Sequence, residues 1–278
     1  RKMVEEADVV IENYRYGVMD RLGLGYEQLK EINPRLIYGA ITGFGANGPY
    51  RDRPGYDIIS QAMGGLMSVT GQEGNPPTRC GSAMGGGLNM AIGVLVAINA
   101  RHVTGKGQYV DVSIADSVVM SLEQAWQRYF VTGNVPVPHG NSYDAIAPYD
   151  SYQAKDGWMV IGCGNQRLFE LLCDKILEQP ELVVDERFTT VPLRVKNNKD
   201  FKIIMEKWLV DYTVDEAVEK ILSTGIPAAP ILNIEQIAND EHFTKARELF
   251  VPMKHPVCGE VLINGTAVKM SETKATIR

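Results

Sequence analysis

Four short segments of this 278-residue chain carry side chains or backbone that could bind or transform a ligand. The first, Glu12 to Gly25 (ENYRYGVMDRLGLG), sets Asn13, Arg15 and Arg21 among glycines directly after an apolar, β-branched run. Ligands of open parallel sheets bind beyond the carboxyl ends of the strands, and arginines placed there can pair with phosphates bidentately. Spacing alone favours the plainer reading, a solvated loop. The second, Gly43 to Gly48 (GFGANG), lets backbone approach a ligand closely, but it is not a dinucleotide fingerprint and a plain turn explains it. The third, Arg53 to Asp57 (RPGYD), offers the Tyr56 phenol beside a tight turn, with Asp57 read as the cap of the helix that follows. The fourth, Gly81 to Leu88 (GSAMGGGL), precedes a long apolar helix. Unpaired N–H groups at such a helix start form an anion or oxyanion site, and tight loop packing is the alternative.

Other chemistries find no support in the spacing. Cys80, Cys163, Cys173 and Cys258 form no CxxC pair, and His102, His139, His242 and His255 form no HxxxH pattern, so no metal site is expected. The thiols read as those of a reduced, cytoplasmic protein. A net charge of −6 gives no basic footprint for nucleic acid or an anionic membrane, although a local group of arginines could still hold a small phosphorylated ligand. No run reaches the roughly 18 apolar residues that a membrane span needs.

The elements that must position these segments follow from periodicity. Val9 to Ile11, Leu36 to Ile41 and Gln108 to Ile114 read as strands, and Tyr26 to Asn33 as a short helix closed by Pro34. Asp57 to Met67, Leu88 to His102 and Ala115 to Val131 read as helices. The second is apolar on most sides and is therefore expected to be buried. Alternating strands and helices predict an α/β architecture. Thr132 to Pro148, rich in Gly, Pro and Asn, reads as a linker to a smaller α/β unit. That unit has a strand near Trp158 to Ile161 and helices at Gln166 to Leu177, Asp200 to Asp211, Val214 to Ser223 and Ile234 to Phe250. The tail, Val261 to Met270, reads as strands about a turn at Asn264-Gly265. The opening looks like the middle of a helix, so a preceding section is expected.

Taken in order, DVVIENYRYGVMDRLGLG (Asp8 to Gly25), NPRLIYGAITGFGANGPYRDRPGY (Asn33 to Tyr56), TGKGQ (Thr104 to Gln108) with Asp111, and GIPAAP (Gly225 to Pro230) resemble the class III CoA-transferases. This is the family of formyl-CoA, carnitine and bile-acid CoA-transferases. The resemblance covers almost the whole chain. It implies a Rossmann-like large CoA-binding domain (1–140), a small α/β domain (141–230), a C-terminal segment (231–278) returning toward the large domain, and an interlocked homodimer. It also implies an acyl-CoA:carboxylate CoA-transferase with acyl-CoA and a carboxylic acid as substrates, and with no resident cofactor or metal. In such enzymes an aspartate attacks the thioester, giving a mixed anhydride and CoA thiolate. The thiolate then forms an aspartyl-CoA thioester, from which the incoming acid takes the CoA through a second anhydride. By resemblance Asn13, Tyr14, Val18 and Arg21 match positions lining the CoA site, Tyr56 matches an active-site tyrosine, and Gly85, Gly86 and Gly87 belong to the oxyanion loop. Related α-methylacyl-CoA racemases usually carry histidine at the Tyr56 position, which favours transfer. His139 to Pro148 (HGNSYDAIAP) stands where the small domain's glycine-rich loop is expected.

One departure bears on the chemistry. A gapless count back from Thr104 to Gln108 puts the nucleophilic aspartate at Ala83, racemase-like spacing puts it at Ser82, and a third reading supposes a short deletion after Gly85. No carboxylate lies between Glu73 and Asp111 in any case. The expectation is therefore a transferase that cannot turn over. The alternatives are a racemase-like enzyme or a non-catalytic acyl-CoA-binding paralogue.

Overall fold

The apolar run IYGAIT is central because its neighbours on both sides are strands, and in a parallel sheet such a strand is covered on both faces. The computed structural model describes residues 1–81 and 85–276. They divide into two units, Arg1–Gly140 and Asn141–Arg278. In the first, β1 (Val9–Glu12), α1 (Val18–Arg21), α2 (Tyr26–Ile32), β2 (Ile37–Thr42), α3 (Asp57–Met63), α4 (Leu66–Val69), α5 (Gly85–Thr104), β3 (Tyr109–Ser113), α6 (Ile114–Met120) and α7 (Glu123–Thr132) follow one another. The strands form a parallel sheet in the order β1-β2-β3, with Ile11 opposite Gly39 and Ala40 opposite Asp111. One face carries a core of Val4, Leu29, Leu36, Tyr38 and Ala40, with Tyr26 and Tyr109 packed against it. Against the other lies α5.

Close approach of α5 to the sheet depends on missing methyl groups. A Cβ on Gly39 would stand 2.5 Å from Met90 Sδ, and one on Gly93 would stand 2.7 Å from Val110 Cγ1. At the far end, buried Arg101 donates to the Asp8 carboxylate at 2.7 Å and to Arg35 O at 3.1 Å, tying α5 to the start of β1.

Several elements differ from the expectation. The long apolar helix is buried on one face only: Gly86, Met90, Ala97 and Arg101 are covered, while Leu88, Ile92, Leu95 and Val96 are exposed. The expected helix 57–67 breaks where Gly65 takes a left-handed φ of +87°, which separates α3 from α4. The expected helix 115–131 breaks at Ser121, whose hydroxyl bonds Val118 O at 2.7 Å and competes with the helical ladder.

In the second unit β4 (Tyr149–Gln153), β5 (Trp158–Gly162) and β6 (Ala228–Pro230) make an antiparallel sheet in that order. Around it pack α8 (Gln166–Leu171), α9 (Val191–Lys196), α10 (Asn198–Leu209) and α11 (Val214–Leu222), with Tyr152, Met159, Ile161, Phe169, Leu172 and Phe201 in the core. After α8 the chain continues as one π-helical turn, Leu172–Ile176. The fully buried Arg194 has its guanidinium 4.3 Å over the Phe169 ring and donates to Ala147 O, Phe188 O and Gln166 Oε1 at 2.8–2.9 Å. The expected helix 234–250 is α12 (Ile234–Asn239) plus a π turn (His242–Ala246), because Asp240 turns its carboxylate onto the N–H of His242 at 2.8 Å. The tail hairpin pairs β7 (Phe250–His255) with β8 (Gly259–Asn264). Its turn is at 256–258, where His255 Nδ1 accepts from Val257 and Cys258 N–H, and not at Asn264-Gly265. Residues 231–276 group with this unit.

Candidate active site

Two connections leave the carboxyl edge of the first unit's sheet, a short one after β1 and a long one from β2 to α3, and each is pinned by its own sequence. Asn13, just past β1, donates Nδ2–H to Ile41 O at 2.6 Å, which fastens the 13–17 loop onto β2. The Glu12 carboxylate accepts from Tyr14 N at 2.6 Å. Burial holds the Glu12 carboxyl above the usual carboxylate range against the opposing effect of that N–H, and neighbouring Asp20 adds to the rise. After β2, Gly45 takes φ +83° and donates to Thr42 Oγ1 at 2.8 Å, while Ala46 N donates to Asp111 Oδ2 at 2.9 Å. GFGANG is thus a turn held by an aspartate of the neighbouring strand. The far end of the same connection returns to its start through a pair of glycines: a Cβ on Gly43 would lie 2.8 Å from Gly55 Cα, and one on Gly55 would lie 2.7 Å from Gly43 Cα. Only backbone fits between them, and this contact delivers Tyr56 to the sheet edge.

These loops enclose a cleft of about 460 Å³. Asn13, Tyr14, Arg15 and Tyr16 form one wall, Arg51, Arg53, Tyr56 and Asp57 the other, and Ile41, Thr42, Gly43 and Ile114 the floor. Arg51 stands 5.0 Å over the Tyr16 ring and Arg53 4.1 Å over the Tyr50 ring, so both guanidiniums are oriented on aromatic faces. Three arginines against one lining carboxylate, Asp57, give the cleft the polarity a polyanion requires. The first turn of α5 adjoins the floor. A Cβ on Gly86 would touch Ile114 and Ile41 at 3.4 and 3.6 Å, one on Gly85 would press Ser117 Cβ at 2.9 Å, and Gly87 faces open space. The N-terminal end of a 20-residue helix therefore lies beside the cleft.

Asn13, Tyr14 and Tyr56 come together here, with Gly86 behind the floor residues Ile41 and Ile114. Val18 and Arg21 sit on α1 and do not line this cleft. Ala83 lies outside the described residues. Asp57 is the first residue of α3 rather than its cap: Tyr56 occupies the cap position, and the Asp57 carboxylate accepts from Gln61 Nε2 at 2.7 Å. Sequence reasoning passed over Arg51, two residues from Arg53 on the way to Pro54-Gly55. The signal was there, in basic residues flanking a turn ahead of a tyrosine. Segment 139–148 crosses the boundary between the units, and its Asn141 lines, with Tyr149 and Asp150, a separate cleft of about 510 Å³ in the second unit. Among the described residues no group of His, Cys, Asp or Glu could hold a metal ion, and no helix is long and apolar enough to cross a membrane.

The family model for CoA-transferase family III matches residues 1–278. Acetyl-CoA:oxalate CoA-transferase of Acetobacter aceti is 42% identical over 274 residues, covering 97% of this chain and 69% of the relative. Succinyl-CoA:mesaconate CoA-transferase of Haloarcula hispanica is 37% identical (98% and 69% covered), and succinyl-CoA:glutarate CoA-transferase of Homo sapiens is 34% identical (99% and 63%). The chain thus spans roughly two thirds of the length of these relatives. Among solved structures, a CaiB/BaiF family protein from Brucella suis superposes with a TM-score of 0.83 at 37% identity, covering 98% of this chain and 71% of the other. Rv3272 from Mycobacterium tuberculosis superposes at 0.86 with 25% identity, covering 99% and 74%. A whole-length family match, relatives well above 30% identity and a shared mixed α/β fold agree: this chain belongs to CoA-transferase family III.

Proposed function

We propose that this chain binds acyl-CoA and a carboxylic acid as an acyl-CoA:carboxylate CoA-transferase does, with the CoA phosphates on the arginines of the cleft and the thioester toward the first turn of α5. The observation that carries this is the meeting of Arg15, Arg51, Arg53 and Tyr56 in one cleft whose floor residues Ile41 and Ile114 pack on the start of a long helix, in a chain whose relatives bear CoA-transferase names. In this reading residues 1–140 are a Rossmann-like CoA-binding domain, 141–230 the small domain, and the working form is a cytoplasmic homodimer. The exposed apolar residues of α5 (Leu88, Ile92, Leu95, Val96) support a partner subunit.

Transfer needs a carboxylate oxygen to attack the thioester carbonyl, expelling CoA thiolate and leaving a mixed anhydride. The α5 N–H groups would steady the oxyanion of that step. Alanine offers no such oxygen. With Ala83 at the nucleophile position, the encoded site holds CoA esters without consuming them. In the Ala83→Asp variant we expect an enzyme-bound anhydride or CoA thioester that hydroxylamine traps, together with CoA exchange between two acids seen by mass spectrometry. Exchange of the α-proton instead would mark a racemase. Binding with neither reaction would return Ala83 to an ordinary position and make the gap after Gly85 the next site to restore.

A further inference from the structure

Gln61 lies outside the cleft lining, yet its residue is completely buried in α3. Its side-chain amide makes three hydrogen bonds. Nε2 donates to Asp57 Oδ2 at 2.7 Å, one turn earlier in the same helix, and to Cys80 O at 3.1 Å. Oε1 accepts from Cys80 N at 3.1 Å. The last two bonds reproduce, with a side chain, the reciprocal pairing of two strands. Only a group with a donor and an acceptor on one end can meet a peptide unit this way, which restricts the role to an amide. Buried polar groups that lose such partners cost free energy, so the arrangement has one preferred register.

The two ends of this bridge matter. Asp57 lines the arginine cleft and follows Tyr56. Cys80 opens the run that passes through Gly81 to the glycine turn of α5, and its backbone is held to α3 across 19 residues of sequence. We propose that Gln61 is a positioning residue: it docks the Cys80 peptide on the Tyr56 helix and so sets where the first turn of α5, Gly85 to Gly87, meets the cleft floor. The inference rests on the transferase reading only in assigning the acyl group to that segment.

Two variants test it in the whole chain. Gln61→Leu removes all three bonds at similar volume. Gln61→Glu keeps the acceptor but sets a carboxylate against Asp57 Oδ2 and Cys80 O, a conflict relieved when acid protonates Glu at that position. Amide exchange at Cys80 should accelerate about ten-fold in Gln61→Leu, while core amides of β2 keep their protection. In Gln61→Glu the protection factor should be low at neutral pH and recover as pH falls, which a space-filling role would not produce. Calorimetry with CoA and acetyl-CoA supplies the functional arm: CoA affinity stays within about two-fold, while the ratio of acetyl-CoA to CoA affinity shifts by about three-fold or more in Gln61→Leu. Unchanged Cys80 exchange overturns the docking, and altered exchange with an unchanged affinity ratio overturns the positioning role. Absence of any CoA binding by the parent chain sinks the transferase reading instead and leaves the docking to be judged by exchange. If Gln61→Leu fails to fold, the pH recovery in Gln61→Glu decides.

Discussion

Arg51 and Arg53 flank Asp52, yet their guanidiniums rest on two different rings, Tyr16 and Tyr50, and both reach the same cleft. Arg21 stands apart on α1. If the cleft takes CoA phosphates, Arg51→Ala should weaken CoA binding by about 1.5–3 kcal/mol, the range for hydrogen bonds to a charged group, and Arg21→Ala by less. Calorimetry with free CoA distinguishes the two, and a larger effect at Arg21 would move the phosphates onto α1. At this scale what was legible is that Asn13, Tyr14 and Tyr56, singled out by resemblance, share one cleft. Gln61 and Arg51 were illegible because their significance lies in contacts with Cys80 and Tyr16, 19 and 35 positions away, that no local spacing announces.

Strand β2 was readable because a buried parallel strand writes itself as an apolar run, β1 because it is a short β-branched run, and β3 because it alternates. Strand β4 (YDSYQ) was not, since its polar side chains are spent inside the unit: Asp150 accepts from Asn198 Nδ2 at 3.0 Å, and Ser151 Oγ accepts from Asn141 Nδ2 at 3.0 Å. The breaks at Gly65 and Ser121 escaped for a related reason, because one left-handed residue or one back-bonded hydroxyl ends a helix without altering its apolar period. The glycines of α5 provide a paired experiment. Gly87→Ala enters open space and should stabilise the fold by about 0.4–1 kcal/mol through the unfolded chain. Gly93→Ala drives a methyl to 2.7 Å from Val110 Cγ1 and should destabilise it by about 1–3 kcal/mol. Urea unfolding of both variants checks the opposite signs, and equal effects would mean that α5 is not seated on β3 as described.

Stability of the whole molecule should fall in mild alkali. Burial pushes the Cys163 and Cys173 thiols from 9.0 up to about 12, the nearby Arg194 cation only partly offsetting it. Below pH 9 both states hold these protons. Above it the unfolded chain loses them while the folded one keeps them, so each thiol withdraws up to about 1.4 kcal/mol per pH unit. Unfolding midpoints measured in urea on either side of pH 9 should diverge, and the slope should flatten in Cys163→Ala. On the same scale, the proposed homodimer should bury more than the roughly 2,000 Å² at which obligate interfaces begin. Sedimentation at micromolar concentration should find a dimer that Ile92→Glu dissociates, and a monomeric parent chain would refute the assembly.

The sheet order carries a last consequence, for handling rather than catalysis. Among the described residues β1 pairs only with β2 and Ile11 is exposed on it, so in a polypeptide of residues 1–278 alone the outer row of β1 would be a template for another strand. In colloidal terms that polypeptide would carry its own nucleus for edge-to-edge growth, distinct from association through α5. Replacing Ile11 with lysine should suppress such growth in light scattering and leave a true dimer untouched.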